Sequence, residues 1–223
     1  MKITDKEIPA KEKKTIYIHA RTHPCEIQSF NIAKNIIKFL SSNKNLAELI
    51  RRKCIFYILP MYNPDGVELN YSRENANTFD LESNWCSGYI QPEVIALMNR
   101  FDNLMRSDSP IAIALNLHSS MKCKRYFVFH DSTNKRYVEK QKDFIKYVRS
   151  YFSDGIEPWW FEVKWQDGIV YSSPESWWLD YYGSKVLALT FEDKNCNEAS
   201  EYDKTAKVLI LGIYDFIVDI NDM

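Results

Sequence analysis

What the chain lacks narrows it first. Its five cysteines, Cys25, Cys54, Cys86, Cys123 and Cys196, are odd in number and include no Cys-x-x-Cys pair. That argues against a disulfide framework and against a structural zinc ribbon, and leaves scattered free thiols. No apolar run approaches the ~20 residues a membrane-spanning helix needs. Met1 to Lys14 is charged and has no apolar core of the kind a secretory signal carries. Taken as the native start, this segment predicts a cytoplasmic protein; taken as a trimmed start, it allows a periplasmic or secreted one. Neither sign of charge dominates: the formal net charge is −1 with both signs mixed along the chain, so no nucleic-acid or polybasic membrane surface is expected. There is no internal repeat, low-complexity tract or Gly/Ser linker, and residues 1–223 read as a single domain.

What is present is a composition able to build a core. Hydrophobic residues make up 45% of the chain and aromatics 14%, which is not a disordered composition. Apolar segments alternate with helical patterns. Thr15–Ala20, Cys54–Met61, Ile111–Leu117, Tyr126–Phe129 and Lys185–Phe191 read as strands, three of them apolar throughout. Glu26–Leu40, Pro92–Met105, Tyr137–Phe152 and Ala206–Ile220 read as helices, the second with proline in its first turn. Asn63-Pro64-Asp65-Gly66 reads as a turn. Buried strands separated by helices predict an α/β fold, with a mixed, mostly parallel sheet covered by helices on both faces. Binding sites in such sheets lie beyond the carboxyl ends of the strands.

The chemistry-bearing residues cluster at those ends. Thr15–Ala20 leads into His23 and Glu26, Ile111–Leu117 into His118, and Lys185–Phe191 into Glu192 and Asp193. A catalytic zinc site needs three protein ligands and one open position. His-x-x-Glu supplies two from one strand-to-helix turn and His118 supplies a third, a nitrogen and oxygen donor set that suits Zn²⁺. Glu192, on a neighbouring strand end, is then the natural general base. The plainer alternative is that the His-x-x-Glu spacing is accidental and the imidazoles are surface or hydrogen-bonded residues. The scarcity of histidine, four in the chain, favours the metal. His19, inside its strand and with no glutamate three residues on, reads as a structural residue or a support to the ligands. His130 is given no role.

Several segments resemble the M14 zinc carboxypeptidases. Ala20-Arg21-Thr22-His23-Pro24-Cys25-Glu26 is similar to that family's zinc motif. Tyr62-Asn63-Pro64-Asp65-Gly66 matches its Asn-Pro-Asp-Gly. Arg73-Glu74-Asn75-Ala76-Asn77 with Asp80-Leu81, Asn116-Leu117-His118-Ser119 and Leu189-Thr190-Phe191-Glu192 follow in the family's order. The resemblance implies one zinc per chain on His23, Glu26 and His118, a peptide or peptide-like substrate, and Glu192 activating water and passing its proton to the leaving amine. It implies that Arg73 stabilises the oxyanion; the alternative is a solvated loop arginine. Tyr171 lies near the family's mobile tyrosine, or else is a packed loop aromatic.

The resemblance breaks at Glu82-Ser83-Asn84. The family usually has Asn-Arg-Asn there, and the Asn-Arg pair grips the substrate's terminal carboxylate. Glu82 and Ser83 replace that pair, and a glutamate repels a carboxylate. Weak trimming of ordinary C-termini is therefore expected, and a substrate offering an amine or other donor beside Glu82. Alternatively Lys122, Lys124 or Arg125 takes over the grip. His23 also comes early, which implies a domain reduced at its N-terminus or completed elsewhere, with a sheet edge to cover. Five tryptophans fall within Ile156–Leu179, which reads as a long loop that either walls the site or forms its own small core. Three functions remain in view: an M14-type peptidase, a zinc-dependent deacylase or amidase on a non-standard substrate, and a non-catalytic binding relative.

Overall fold

The computed structural model describes residues 1–120, 124–131, 134–153, 162–164, 172–194, 198 and 200–222. In chain order the elements are β1 (Lys2–Ile3), β2 (Lys14–Ala20), α1 (Ile27–Leu40), α2 (Asn45–Lys53), β3 (Cys54–Leu59), α3 (Pro64–Glu68) and α4 (Pro92–Met105). There follow β4 (Ile111–Ser120), β5 (Tyr126–Asp131), α5 (Lys135–Arg149), β6 (Glu162–Lys164), α6 (Pro174–Tyr182), β7 (Leu187–Lys194) and α7 (Glu201–Asp222). The sheet has the order β1-β3-β2-β4-β7-β5-β6. Its centre, β3-β2-β4-β7, is parallel; β1 and β5 join antiparallel and β6 pairs parallel with β5. This is the mixed, mostly parallel α/β sheet that the buried strands predict.

Alternation along the strands sorts side chains to two faces. Ile16, Ile18 and Ala20 of β2, Ile113, Leu115 and Leu117 of β4, and Leu187, Leu189 and Phe191 of β7 enter one core with α1, α5 and α7. Each such fully buried Ile, Leu or Phe side chain contributes about 1.5–3 kcal/mol. The intervening positions face a second, aromatic cluster built with α4 and α6: Tyr17, Tyr62, Trp85, Phe101, Trp177 and Trp178. A register shift between Thr15 and Ile16 moves Ile111 of β4 onto this second face. Helices thus cover both faces. Among the described residues no helix is long and apolar enough to cross a membrane.

The structure departs from the sequence reading, or adds to it, at four places. Asn63–Gly66 is not a free turn: Asn63 caps α3 by accepting from the Gly66 N–H at 3.0 Å, with Pro64 in the first turn. Helix α2 carries only Ala47 and Ile50 as buried positions, too few for a clear periodicity. Within the expected long loop, 174–182 is helical because Ser173 caps it and Trp177 and Trp178 are buried in the aromatic cluster. Finally, the outer edge of β3 is covered for two residues by β1. Trp159, Trp160, Trp165, Tyr171 and Lys122 lie outside the described residues.

Candidate metal centre

Strands β4 and β7 run past their apolar stretches, and their parallel register sets His118 beside Glu192. Both belong to the second face, as do His19, Asn116 and Thr190 by the same alternation. His23 and Glu26 come from the turn between β2 and α1. Arg21 opens that turn with a left-handed φ of 58°. The Ser29 hydroxyl then accepts from the Arg21 N–H at 3.1 Å and donates to the Glu26 carbonyl at 2.8 Å. The turn is clasped from outside by Asn63, whose Nδ2 donates to the carbonyls of Thr22 at 3.1 Å and Glu74 at 3.0 Å. Gly66 is required there, since a Cβ would sit 2.4 Å from the Glu74 carbonyl and 2.6 Å from Pro24 Cγ.

These constraints bring the three expected ligands together. His23 Nδ1 lies 2.7 Å from Glu26 Oε1, and His118 Nδ1 lies 2.9 Å from Glu26 Oε2. One donor atom from each of the three residues falls within 4.8 Å of the others. Both imidazoles are 3% exposed, so they are not solvated surface histidines. Two nitrogens and a carboxylate converging in this way fit a zinc ion with an open position. The second nitrogen of each ring is also held by a carboxylate. His23 Nε2 is 3.3 Å from Asp80 Oδ1, and His118 Nε2 is 3.2 Å from Glu82 Oε2. Such outer partners fix tautomer and ring orientation in metal sites.

The electrostatics follow from this crowding. Burial pushes the Glu26 carboxyl up, but His118 and His23 overrule it and hold it at about 2. Burial likewise opposes charge on Asp80, yet hydrogen bonding with His23 brings it to about 2. Both ligand imidazoles lie above the ordinary histidine value: burial lowers them, and their carboxylate partners raise them further. Glu192 goes the other way, pushed up to about 7 by burial, and its Oε2 is buried without a hydrogen-bond partner among the described residues.

Arg73 stands at the rim, paired through Nε and Nη2 with Asp80 Oδ2 at 3.0 Å. Its loop is closed by Asn75, fully buried, which accepts from the N–H groups of Asn77 and Phe79 and donates to Gln91 and Glu93. Of the residues expected on the substrate side, Glu82 is in the site but engaged by His118 and Asn116. Ser83 is exposed. Asn84 is a correction: its side chain binds Ser87, the Tyr89 carbonyl and the Gln91 N–H, and so holds its own loop together. Arg125 is corrected as well. It is buried between Asp193 and Glu201, at 2.7 and 2.9 Å, with its guanidinium over Phe152, and cannot grip a substrate terminus.

Three residues near the site escape the sequence reading. Asp80 appears there only as part of a matched stretch, with no role. Asn116 sits two positions before His118, where strand alternation alone places it on the same face. Glu175 is 4% exposed in the first turn of α6, its carboxyl pushed up to about 7 by burial and then by the charge of Glu82. Nothing in its local sequence sets it apart from a surface glutamate. His19 is not among the three clustered donors. It is buried between Tyr17 and Tyr62, and burial holds its pKa down at about 3.

Comparison with known proteins bears on the family and the fold. The chain is 33% identical to cytosolic carboxypeptidase 6 of Caenorhabditis elegans over 59% of its own length and 29% of the relative's. It is 34% identical to the human cytosolic carboxypeptidase 6 over 49% of its length and 23% of the relative's. The chain therefore spans less than a third of these curated relatives. Among solved structures, a metallo-carboxypeptidase from Burkholderia cenocepacia superposes with a TM-score of 0.81, covering 98% of this chain and 60% of that one at 18% identity. One from Pseudomonas aeruginosa gives 0.80, with the same coverage, at 15% identity. At these identities the structures show a shared fold. The model of the zinc carboxypeptidase family, Peptidase_M14, matches residues 1–197, and by that match the chain belongs to this family of metallopeptidases.

Proposed function

We propose that this chain hydrolyses an amide bond with one zinc ion held by His23, Glu26 and His118. The observation that carries the reading is the convergence of His23 Nδ1 and His118 Nδ1 on the two oxygens of Glu26, with Glu192 in register beside His118. Zinc in that position supplies a Lewis acid for the carbonyl and lowers the pKa of water. The protein's own groups do the rest. Glu192 takes the proton from the attacking water and delivers it to the leaving amine, a role suited to a buried carboxyl whose Oε2 has no hydrogen-bond partner among the described residues. Arg73, at the rim, turns toward the oxyanion, with Asp80 as its resting partner. Asp80 keeps the His23 ring in place through Nε2.

A peptide or peptide-like amide is the substrate class favoured by the family. A deacylase acting on an N-acyl amine is the second reading, and the carboxylate of Glu82 inside the site favours it. The reading as a binding relative without turnover is less well supported, because all three donors and Glu192 meet in one place. The test is elemental analysis of purified, zinc-reconstituted protein beside Glu26→Ala, followed by turnover on a panel of peptides and N-acyl amines. One zinc per chain, lost in the variant, with cleavage of some amide is the expected result. No bound zinc after reconstitution would sink the assignment, and zinc with no cleavage on the whole panel would leave the binding relative.

A further inference from the structure

The carboxylate of Glu82 is placed by a short segment that also places Asp80. Asp80 caps the turn Leu81–Ser83 and accepts from the Glu82 N–H at 2.9 Å. Leu81, between the two acids, is fully buried in the aromatic cluster and anchors the turn. One turn thus carries two carboxylates, one for each ligand imidazole: Asp80 at His23 Nε2 and Glu82 at His118 Nε2. Asn116 steadies the second by donating through Nδ2 to Glu82 Oε1 at 3.1 Å and Oε2 at 2.9 Å.

We propose that Glu82 is a positioning residue for His118, and that its fixed negative charge directs the site to substrates that are neutral or cationic, rather than carboxylate-bearing, next to the scissile amide. The substrate preference rests on the hydrolase reading above; the positioning role does not. The charge argument comes from the surroundings. Glu26 and Asp80 hydrogen-bond the same two imidazoles, and Glu192 lies in register beside His118. The Arg73 guanidinium is already paired with Asp80. A substrate carboxylate arriving beside His118 would face the Glu82 carboxylate that His118 Nε2 holds at 3.2 Å, and like charges repel. An amide, ester or amine there can instead donate to it or leave it undisturbed.

Two variants separate position from charge. Glu82→Gln keeps an acceptor for the His118 Nε2–H but removes the charge; Glu82→Ala removes both. The first readout is imidazole NMR of metal-free protein, in which the hydrogen-bonded Nε2–H signal of His118 persists in the wild type and Glu82→Gln and is lost in Glu82→Ala. The second is zinc affinity by chelator competition, expected to fall roughly 10- to 100-fold in Glu82→Ala and by less in Glu82→Gln. The third is kcat/KM on one peptide prepared with a free and an amidated C-terminus. The wild type should favour the amide by about tenfold or more, and Glu82→Gln should narrow that ratio.

Unchanged imidazole signal and zinc affinity in Glu82→Ala overturn the positioning role. A wild type that favours the free acid, or a ratio that Glu82→Gln leaves alone, overturns the preference. Cleavage of neither peptide and of no other amide defeats the hydrolase reading and the preference with it, while the NMR result still decides the positioning role.

Discussion

The two faces of the sheet are built from the same strands and differ in almost everything else. The face under α1, α5 and α7 is filled by Ile, Leu, Val and Phe in close contact; at Gly212 an added Cβ would come within 2.6 Å of Val148 Cα. The face under α4 and α6 is aromatic, and it leaves Tyr17 Oη, both nitrogens of His19, Tyr62 Oη, Trp85 Nε1, Asn116 Oδ1 and Glu192 Oε2 without partners among the described residues. Buried polar groups without partners cost stability. Their concentration on the face that also holds His118 and Glu192 shows a division of labour. One face supplies cohesion, and the other gives some up to keep polar atoms dry and available, as functional sites do.

That division can be broken at single positions. Glu192→Gln should retain zinc yet lose roughly 10²- to 10⁴-fold in kcat, the usual contribution of general acid–base catalysis; steady-state kinetics with parallel zinc analysis reads it, and an unchanged kcat would remove Glu192 from the chemistry. On the opposite side of the same strand, Phe191→Ala should destabilise by about 3–5 kcal/mol through the cavity it leaves, measured by urea denaturation. Loss of activity in that variant without loss of stability would contradict the division.

Smaller effects sharpen it. Asn63→Ala leaves the Thr22 and Glu74 carbonyls and the Gly66 N–H without their partner. It should cost about 1–3 kcal/mol in stability and also weaken zinc binding, because the His23 turn loosens. Stability lost with zinc affinity intact would show that the clasp does not reach the site. Gly212→Ala, which crowds Val148, should cost about 1–3 kcal/mol and leave zinc affinity alone. The smallest effect is expected from His19→Leu. Removing a buried imidazole with no hydrogen-bond partner among the described residues for an apolar group of similar size should lie within about 1 kcal/mol of neutral or stabilise slightly. A loss well beyond that in thermal denaturation would mean that His19 has a partner the geometry does not reveal.

Much of this was readable in advance, and the reason is local. Predominantly apolar segments mark β2, β3, β4 and β7 because a parallel sheet buried on both faces needs no polar alternation. The polar residues that follow those runs include His23, Glu26, His118 and Glu192, and the fold brings the first three together with Glu192 in register beside His118. Less visible were α2, whose buried stripe is two residues wide, and the helix at 174–182, whose tryptophans pack inward rather than covering the site. Asn63 looked like turn chemistry, and its side chain in fact joins three segments.

By itself, the sequence determined the five longer strands, the four long helices and which residues end the strands, since these follow from side-chain type and spacing within a few residues. The tertiary structure alone decided how the acids are shared out. Asp80 reaches His23 across 57 residues and Glu82 reaches His118 across 36. Asn84 is drawn into its own loop, and Glu175 is buried. Contacts at such separations depend on sheet register and on how one loop closes over another. No local pattern of residues encodes the side on which a carboxylate ends.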